Sequence, residues 1–251
     1  MIGDLSMRIA GIISTSTVDV PGVPVSVLFT VGCNFFCPFC HNFEICRPTA
    51  GNEVPLGEIV EKLSDNILVE GVNITGGEPT LQPQLVQLVT QLRDQGTYFI
   101  GLDSNGSNPG TIQQLTKLLD RIAIDFKVPW EDYQQVTKSN EALGAVHETL
   151  AFLSQNFKGN LEARTTVIRQ YHTAESLKSM ARSLQELEFP GLWVLQEYQF
   201  SKGVNPEMKG RFDPWAREEL HSIGYALMKK YDLRIALRTA SRGFEKLLVT
   251  I

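Results

Sequence analysis

Three cysteines in one short segment are the residues best suited to chemistry in this chain. Cys33, Cys37 and Cys40 follow the pattern C-x3-C-x2-C, directly after an apolar run over residues 23–31. Thiolates are the soft ligands that iron–sulfur clusters select. We expect these thiols to hold three irons of a four-iron cluster and to leave the fourth iron open for a substrate-like molecule.

A zinc loop, or a group of buried structural cysteines, is the alternative interpretation of this segment. Zinc usually takes four protein ligands, often in paired C-x2-C or cysteine–histidine arrangements. His41 follows the third cysteine and could be a fourth ligand, so the segment alone does not decide between the metals. Cys46 is interpreted as a nearby spectator thiol, and the alternative is that it serves as a cluster ligand.

Four short segments carry a resemblance to a known family. They are residues 33–42, 75–80 (TGGEPT), 102–106 (LDSNG) and 124–127 (IDFK). Together they resemble the radical S-adenosylmethionine (SAM) superfamily and, more narrowly, the activating enzymes of glycyl radical enzymes. The resemblance runs over most of residues 8–170. It implies a [4Fe–4S] cluster, SAM as cosubstrate, and an α/β fold in the form of an open (βα)6 partial barrel.

The resemblance also implies the reaction and its partners. Reductive cleavage of SAM gives a 5′-deoxyadenosyl radical, which abstracts hydrogen from a glycine of a partner enzyme. The expected partner is anaerobic ribonucleotide reductase, with a reduced flavodoxin- or ferredoxin-type electron donor. A radical SAM enzyme acting on a small molecule, such as a deazapurine precursor, shares nearly every motif and stays open. A non-catalytic metal-binding or electron-transfer module is the alternative of another class.

Composition places the chain among ordinary globular proteins. Its 251 residues suit one domain over 1–251, with an N-terminal edge hairpin or extension over 1–22 and the partial barrel over 23–240. The net charge of −5 makes nucleic-acid binding unlikely, since such proteins usually show a basic face. No apolar run reaches membrane-spanning length. All four cysteines lie close together, which favours a metal site in a reducing cytoplasm over secreted disulfides.

Apolar periodicity predicts strands and helices in alternation. About six strand–helix units follow residue 23, which is too few for a closed eight-stranded barrel and predicts an open one. We expect residues 48–55 to form a loop. A last helix is expected from about Pro214, with Asp213 as its N-cap.

The unusual residues follow the predicted strands at their carboxyl ends, where parallel sheets bind ligands. Gly76, Gly77 and Glu78 follow the second core strand, and the resemblance assigns them to the amino group of SAM. A carboxylate and backbone carbonyls suit an ammonium group. An ordinary strand-to-helix turn is the structural alternative.

Asp103 and Asp125 end the third and fourth core strands. Two carboxylates close to each other and to the carboxylate of SAM repel unless a cation lies between them. By the resemblance, Asp103, Ser104 and Asp125 bind a monovalent or divalent cation, and Asp103 and Ser104 also line the SAM site. The alternatives are an N-cap role for Asp103 and an ion pair with Lys127 for Asp125.

Three further residues are assigned to SAM. Phe39 stands where the superfamily has an aromatic residue against adenine, and its alternative role is to shield the cluster. Lys127 approaches the SAM region by the family match. Arg164, a cation in an apolar strand, is assigned to the SAM carboxylate or ribose, with a structural ion pair as the alternative. The contribution of residues 196–199 in the sixth strand stays open.

Overall fold

The computed structural model describes residues 5–248 in two compact units. Within the described residues, the first unit comprises residues 5–34 and 42–123, and the second comprises residues 35–41 and 124–248. The cysteine segment is therefore divided, with Cys33 in the first unit and Cys37 and Cys40 in the second. Strand β6 (Arg121–Asp125) is divided as well, after Ala123.

The first unit is a mixed sheet with helices. Its elements are β1 (Ser6–Ser16), β2 (Val25–Thr30), β3 (Asn52–Pro55), α1 (Leu56–Ser64), β4 (Gly71–Gly76), α2 (Leu85–Asp94), β5 (Phe99–Ser104) and α3 (Pro109–Leu115). The strand order is β3-β1-β2-β4-β5. Strand β1 is antiparallel to β2 and β3, whereas β2, β4 and β5 run parallel. The predicted strand–helix–strand pattern is present here.

Apolar spacing explains these elements. Strands β2 and β4 are buried along nearly their whole length, as parallel strands covered on both faces are. Helix α1 buries Leu56, Ile59, Val60 and Leu63, which recur at helical spacing. Helix α2 buries four aliphatic side chains in the same way. Hydrophobic burial of these stripes therefore fixes the strand ends from which the site residues leave.

The second unit continues the alternation. Its elements are α4 (Tyr133–Thr137), α5 (Ala142–Asn156), β7 (Asn160–Val167), α6 (Ala174–Glu186), β8 (Leu192–Glu197), α7 (Arg217–Tyr231), β9 (Arg234–Thr239) and β10 (Gly243–Lys246). Strands β7, β8 and β9 are parallel, and β10 is antiparallel to β9. Trp193 of β8 is fully buried and donates its indole N–H to Thr165 Oγ1 of β7 at 2.9 Å. This bond gives a polar core atom a partner.

Two expectations for individual elements were wrong. Residues 52–55, expected within a loop, form β3, because their backbone pairs with residues 6–9 of β1. Helix α7 begins at Arg217 and not at Pro214. Pro214 instead forms an isolated antiparallel bridge with Ile168, and the backbone N–H of Arg169 donates to Asp213 O at 3.0 Å. The long-range pairing of these residues therefore prevents the helix from starting where the local sequence predicts it.

The terminal strands β3 and β10 are both four residues long and antiparallel to their single neighbours. They carry Glu53 and Pro55 in β3, and Glu245 and Lys246 in β10. Within residues 5–248, each helix is too short or too polar to cross a bilayer.

Candidate active site

The cysteine segment leaves the carboxyl end of β2 and is anchored by its own backbone. In the first unit, the N–H of Gly32 donates to Ile45 O at 2.8 Å, and that of Cys33 donates to Cys46 O at 3.1 Å. Gly32 has a φ of 81°, a backbone conformation that favours glycine. Cys46 thus contributes its carbonyl to holding Cys33 in place.

The second unit holds the remainder of the segment. The N–H of Cys40 donates to Cys37 O at 3.1 Å, which closes a turn that contains both thiols. The N–H of Phe36 donates to Thr137 O at 2.8 Å and ties this turn to the end of α4. Cys37 is buried and Cys40 is half-buried. All four cysteines of the chain are thiols and not disulfides.

Asn105 is a polar neighbour of Cys33 in the first unit. Its amide Nδ2 donates to Cys33 Sγ at 3.7 Å and to Asn34 Oδ1 at 3.0 Å. Its Oδ1 accepts the N–H of Ser107 at 2.8 Å. An amide directed at sulfur stabilises the thiolate form, which is the form that binds iron.

Glu78 is a fully buried carboxylate that receives four hydrogen bonds. Its Oε1 accepts from Thr80 N at 3.0 Å, Thr80 Oγ1 at 2.6 Å and Ser104 Oγ at 2.7 Å. Its Oε2 accepts from Asn105 N at 2.6 Å. Burial raises the pKa of the Glu78 carboxyl, and these donors counter the rise. Glu78 therefore joins the loop after β4 to the loop after β5, and through Asn105 it is connected to Cys33.

Gly76 and Gly77 are required by close backbone approach. A Cβ on Gly76 would lie 2.3 Å from Thr30 O, and one on Gly77 would lie 2.1 Å from Gly32 O. Gly76 also has a φ of 134°. The N–H of Gly77 donates to Thr30 O at 3.1 Å, and that of Glu78 donates to Gly32 O at 2.7 Å. The loop after β4 is thereby packed against the start of the cysteine segment.

Phe39 belongs to an aromatic group in the second unit. Its ring centroid lies 5.6 Å from that of Tyr171 and 6.3 Å from that of Phe212. His41 stacks on Tyr198 at 5.5 Å, and its Nε2 lies 2.7 Å from Gln199 O. These contacts give His41 a hydrogen-bonding role in the segment, and they connect the cysteine turn to the residues that follow β8.

Asp103 lies at the end of β5 and is bound by two side chains of the first unit. Arg121 Nη1 lies 2.8 Å from its Oδ1, and Asn73 Nδ2 donates to its Oδ2 at 3.2 Å. Ser104 donates to Glu78 and accepts the N–H of Gly106 at 3.0 Å. The polar atoms of Asp103 and Ser104 are thus held by protein partners.

Asp125 and Lys127 form an ion pair at the end of β6, with Nζ 2.7 Å from Oδ2. Burial would lower the pKa of Lys127, but the Asp125 carboxylate and the nearby Cys37 and Cys40 thiolates raise it well above its usual value. A lysine in this position keeps its positive charge beside two of the three thiols.

Tyr133 and His172 hold the backbone around Lys127. The Tyr133 hydroxyl donates to Asp125 O at 3.2 Å and accepts the N–H of Lys127 at 3.1 Å. His172 Nε2 lies 2.9 Å from Lys127 O, and its Nδ1 accepts the N–H of Ile168 at 3.1 Å. Burial lowers the pKa of His172, so the imidazole is neutral and donates through Nε2.

Arg164 lies on β7 with Glu162, and its Nε is 3.2 Å from Glu162 Oε2. Both side chains are about nine-tenths buried. The ion pair that the sequence offered as the alternative role of Arg164 is therefore present, and the SAM role remains a prediction.

Four further polar residues of the site were not among the predicted site residues: Asn73, Asn105, Arg121 and His172. Two of them carry a signal in hindsight, because Asn73 interrupts an apolar strand and Arg121 begins one. A polar group within a buried strand needs a partner, which marks such residues as candidates. Asn105 and His172 lie in loops, where sequence alone gives no such signal.

The thiol donors fit an iron–sulfur cluster. Thiolates are the soft ligands that such clusters select. The amide at Cys33 and the ammonium beside Cys37 and Cys40 both suit thiolate ligands.

Two relatives of known name share parts of this sequence. A protein of Methanocaldococcus jannaschii, provisionally named a glycyl-radical enzyme activating enzyme, is 28% identical over 246 residues, which cover 94% of this chain and 98% of the relative. The 7-carboxy-7-deazaguanine synthase of Methanothermobacter thermautotrophicus is 31% identical over 99 residues, or 39% of each chain.

A solved structure shares the fold. A domain of the pyruvate-formate lyase-activating enzyme of Bacteroides vulgatus superposes with a TM-score of 0.54 at 17% identity, covering 66% of this chain and 98% of that domain. The predicted fold class, an open (βα)6 partial barrel of radical SAM type, is confirmed.

The sequence profile of the Radical SAM superfamily matches residues 27–184, which include the cysteine segment and the loops after β4, β5 and β6. A match over more than half of the chain implies a [4Fe–4S] cluster and SAM, and chemistry of the oxidoreductase type. The chain therefore belongs to the radical SAM superfamily of enzymes.

Proposed function

We propose that this enzyme activates a glycyl radical enzyme. The observation that carries the proposal is the Methanocaldococcus jannaschii relative, because the shared sequence extends over 98% of a protein named for that activity. Anaerobic ribonucleotide reductase is the proposed target, in a reducing cytoplasm, with a reduced flavodoxin- or ferredoxin-type protein as electron donor. The whole chain, residues 1–251, is proposed to act as one radical SAM domain.

Cys33, Cys37 and Cys40 are the proposed cluster ligands. A cluster bound there together with SAM would supply the radical chemistry that removes a hydrogen atom from a glycine. The protein contributes the surroundings of the thiols: Asn105 donates to Cys33, and Lys127 stays positively charged near Cys37 and Cys40. Both groups favour thiolates over thiols.

Residues that follow strands of the sheet are proposed to bind SAM. Gly76 and Gly77 let the backbone after β4 pack closely against neighbouring backbone, where it is proposed to meet the amino end of SAM, while Glu78 holds the two adjoining loops together from a buried position. Lys127 suits the carboxylate of SAM because it is a fixed cation. Phe39, within its aromatic group, offers a flat apolar face for adenine.

Anaerobic reconstitution with iron and sulfide tests this proposal. Reduced enzyme should cleave SAM to 5′-deoxyadenosine, and addition of an anaerobic ribonucleotide reductase should produce a glycyl doublet in electron paramagnetic resonance. Cys37→Ala should abolish cluster and products together. Cys46→Ala is the matched control and should retain them.

One outcome of that experiment favours a different substrate. The partial match to 7-carboxy-7-deazaguanine synthase makes a small deazapurine precursor the second candidate. SAM cleavage that is stimulated by such a precursor and gives no glycyl signal with any glycyl radical enzyme would replace the first proposal with this one. A single zinc and no inorganic sulfide in anaerobically purified protein would contradict both.

A further inference from the structure

Asp103 is one of the ligands of the cation site expected from the family resemblance, but its carboxylate is already paired with the guanidinium of a protein side chain. Arg121 Nη1 lies 2.8 Å from its Oδ1 and 3.3 Å from Asn73 Oδ1, and Asn73 Nδ2 completes the network at 3.2 Å from Asp103 Oδ2. Arg121 is only 2% exposed. A guanidinium this deeply buried needs a carboxylate partner, and Asp103 supplies it.

The strands are shaped to accommodate this network. Asn73 of β4 stands opposite Gly101 of β5 in the parallel register. A Cβ on Gly101 would lie 2.4 Å from Asn73 Oδ1, so only glycine leaves room for the amide. The arrangement of Asn73, Asp103 and Arg121 is therefore part of the interior of the first unit.

The other two expected cation ligands are engaged as well. Ser104 Oγ donates to Glu78 at 2.7 Å and accepts from Gly106 N, and Asp125 pairs with Lys127 at 2.7 Å. A metal ion at either carboxylate would compete with a basic side chain for the same oxygen and be repelled by it. The residues present therefore do not fit an inorganic cation.

We propose that Arg121 takes the place of the inorganic cation. Arg121 is a positioning residue: it neutralises Asp103 and holds it in one orientation at the end of β5, so that SAM binds without added metal ions. The charge that would otherwise repel the carboxylate of SAM is balanced inside the protein. This inference rests on SAM binding, which family membership implies, and not on the identity of the target.

The first test uses the wild-type holoenzyme. The dissociation constant for SAM is measured by equilibrium dialysis in sodium, potassium and tetramethylammonium chloride at equal ionic strength, after treatment with a chelator. We expect the three dissociation constants to agree within about twofold. If SAM binding required an inorganic cation, the affinity in tetramethylammonium chloride would be about tenfold weaker or more. Thallium-205 nuclear magnetic resonance of the protein with added thallium(I) ions supplies a readout without SAM. A signal from protein-bound thallium(I) that potassium displaces would overturn the proposal.

The second test uses variants. Arg121→Gln removes the internal cation and should bind SAM at least about tenfold more weakly in tetramethylammonium. Binding should recover with sodium, potassium or guanidinium ions, which Arg121→Lys should not require. Arg8→Gln, which breaks a partly exposed pair with Glu53 in the same unit, is the matched control and should bind SAM normally.

Folded Arg121→Gln protein that responds to none of the three ions would contradict the role assigned to Arg121. Circular dichroism establishes folding first. If the variant does not fold, the cation comparison on the wild type decides alone. Both tests measure binding of SAM or of thallium, so their outcome is independent of whether a glycyl radical forms.

Discussion

The side-chain amide of Asn105 donates a hydrogen bond to the sulfur of Cys33 across 3.7 Å. Asn105 is itself fixed by Glu78, whose carboxylate accepts its backbone N–H at 2.6 Å. The loop after β5 thus delivers a positively polarised group to one proposed cluster ligand. Hydrogen bonds to ligand sulfur are among the factors that set the potential of an iron–sulfur cluster.

Asn105→Leu should therefore lower the reduction potential of the reconstituted cluster, on the order of tens of millivolts, because the reduced cluster is the more negative state and loses a stabilising hydrogen-bond donor. A redox titration followed by electron paramagnetic resonance measures this. Ser107→Ala, which leaves the amide of Asn105 in place, is the control. An unchanged potential in Asn105→Leu would show that the contact has no electrostatic effect on the cluster.

Gly77→Ala should destabilise the apo protein by about 1–3 kcal/mol, since the new Cβ must displace Gly32 O. Gly57→Ala is the matched control: its Cβ meets no atom within 4 Å in helix α1, so it should stabilise by about 0.5–1 kcal/mol. Urea unfolding measures both. Equal effects at the two positions would contradict the packing explanation for Gly77.

His172 should make part of the stability depend on pH. Burial lowers its pKa in the folded state below the value of 6.5 expected when unfolded. The stabilisation from neutral His172 is thus fully present above pH 6.5 and is lost as pH falls through the lowered folded pKa. The limiting slope is about 1.4 kcal/mol per pH unit for one proton.

The measurement compares wild type with His172→Gln in urea between pH 5 and 8. The difference in free energy of unfolding should be largest at pH 8 and shrink below pH 6.5. A difference that is constant over this range would mean that His172 is not held neutral.

Arg164 and Glu162 can be separated into structural and binding roles by a double-mutant cycle. Removing either partner of a buried ion pair costs about 3–5 kcal/mol, and removing both costs less than the sum. Glu162→Gln, Arg164→Gln and the double variant should show this coupling in urea unfolding. If Arg164 also binds SAM, only the variants lacking Arg164 will lose affinity, and Glu162→Gln will keep it.

The alternating strands and helices could be predicted from the sequence, because burial of one face imposes a regular spacing of apolar residues along each element. Leu85, Leu88, Val89 and Leu92 have the apolar spacing of a helix, and they form the buried stripe of α2. The motif residues Gly77 and Glu78 follow a strand as expected, and Gly76 is the last residue of that strand. These features depend on neighbours along the chain, which a sequence displays directly.

Features that depend on distant partners were beyond the sequence. Strand β3 is exposed and polar, so only its pairing with β1 shows that it is a strand. Asp213 looked like a helix cap, yet its backbone N–H and its carboxylate both bind Gln170, at 3.0 and 2.8 Å. The Arg121–Asp103 pair joins residues 18 positions apart. The charge at the start of an apolar strand indicates that Arg121 needs a partner, but neither local segment identifies that partner.

The brevity of β3 and β10 has a consequence for solubility and for recognition. Open strand edges attract other polypeptides, and natural proteins blunt them with short strands, charges and proline. β3 carries Glu53 and Pro55, and β10 carries Glu245 and Lys246. Both edges therefore disfavour the addition of a strand from another molecule. Because backbone pairing is disfavoured there, a partner protein has to be recognised through its side chains and its shape.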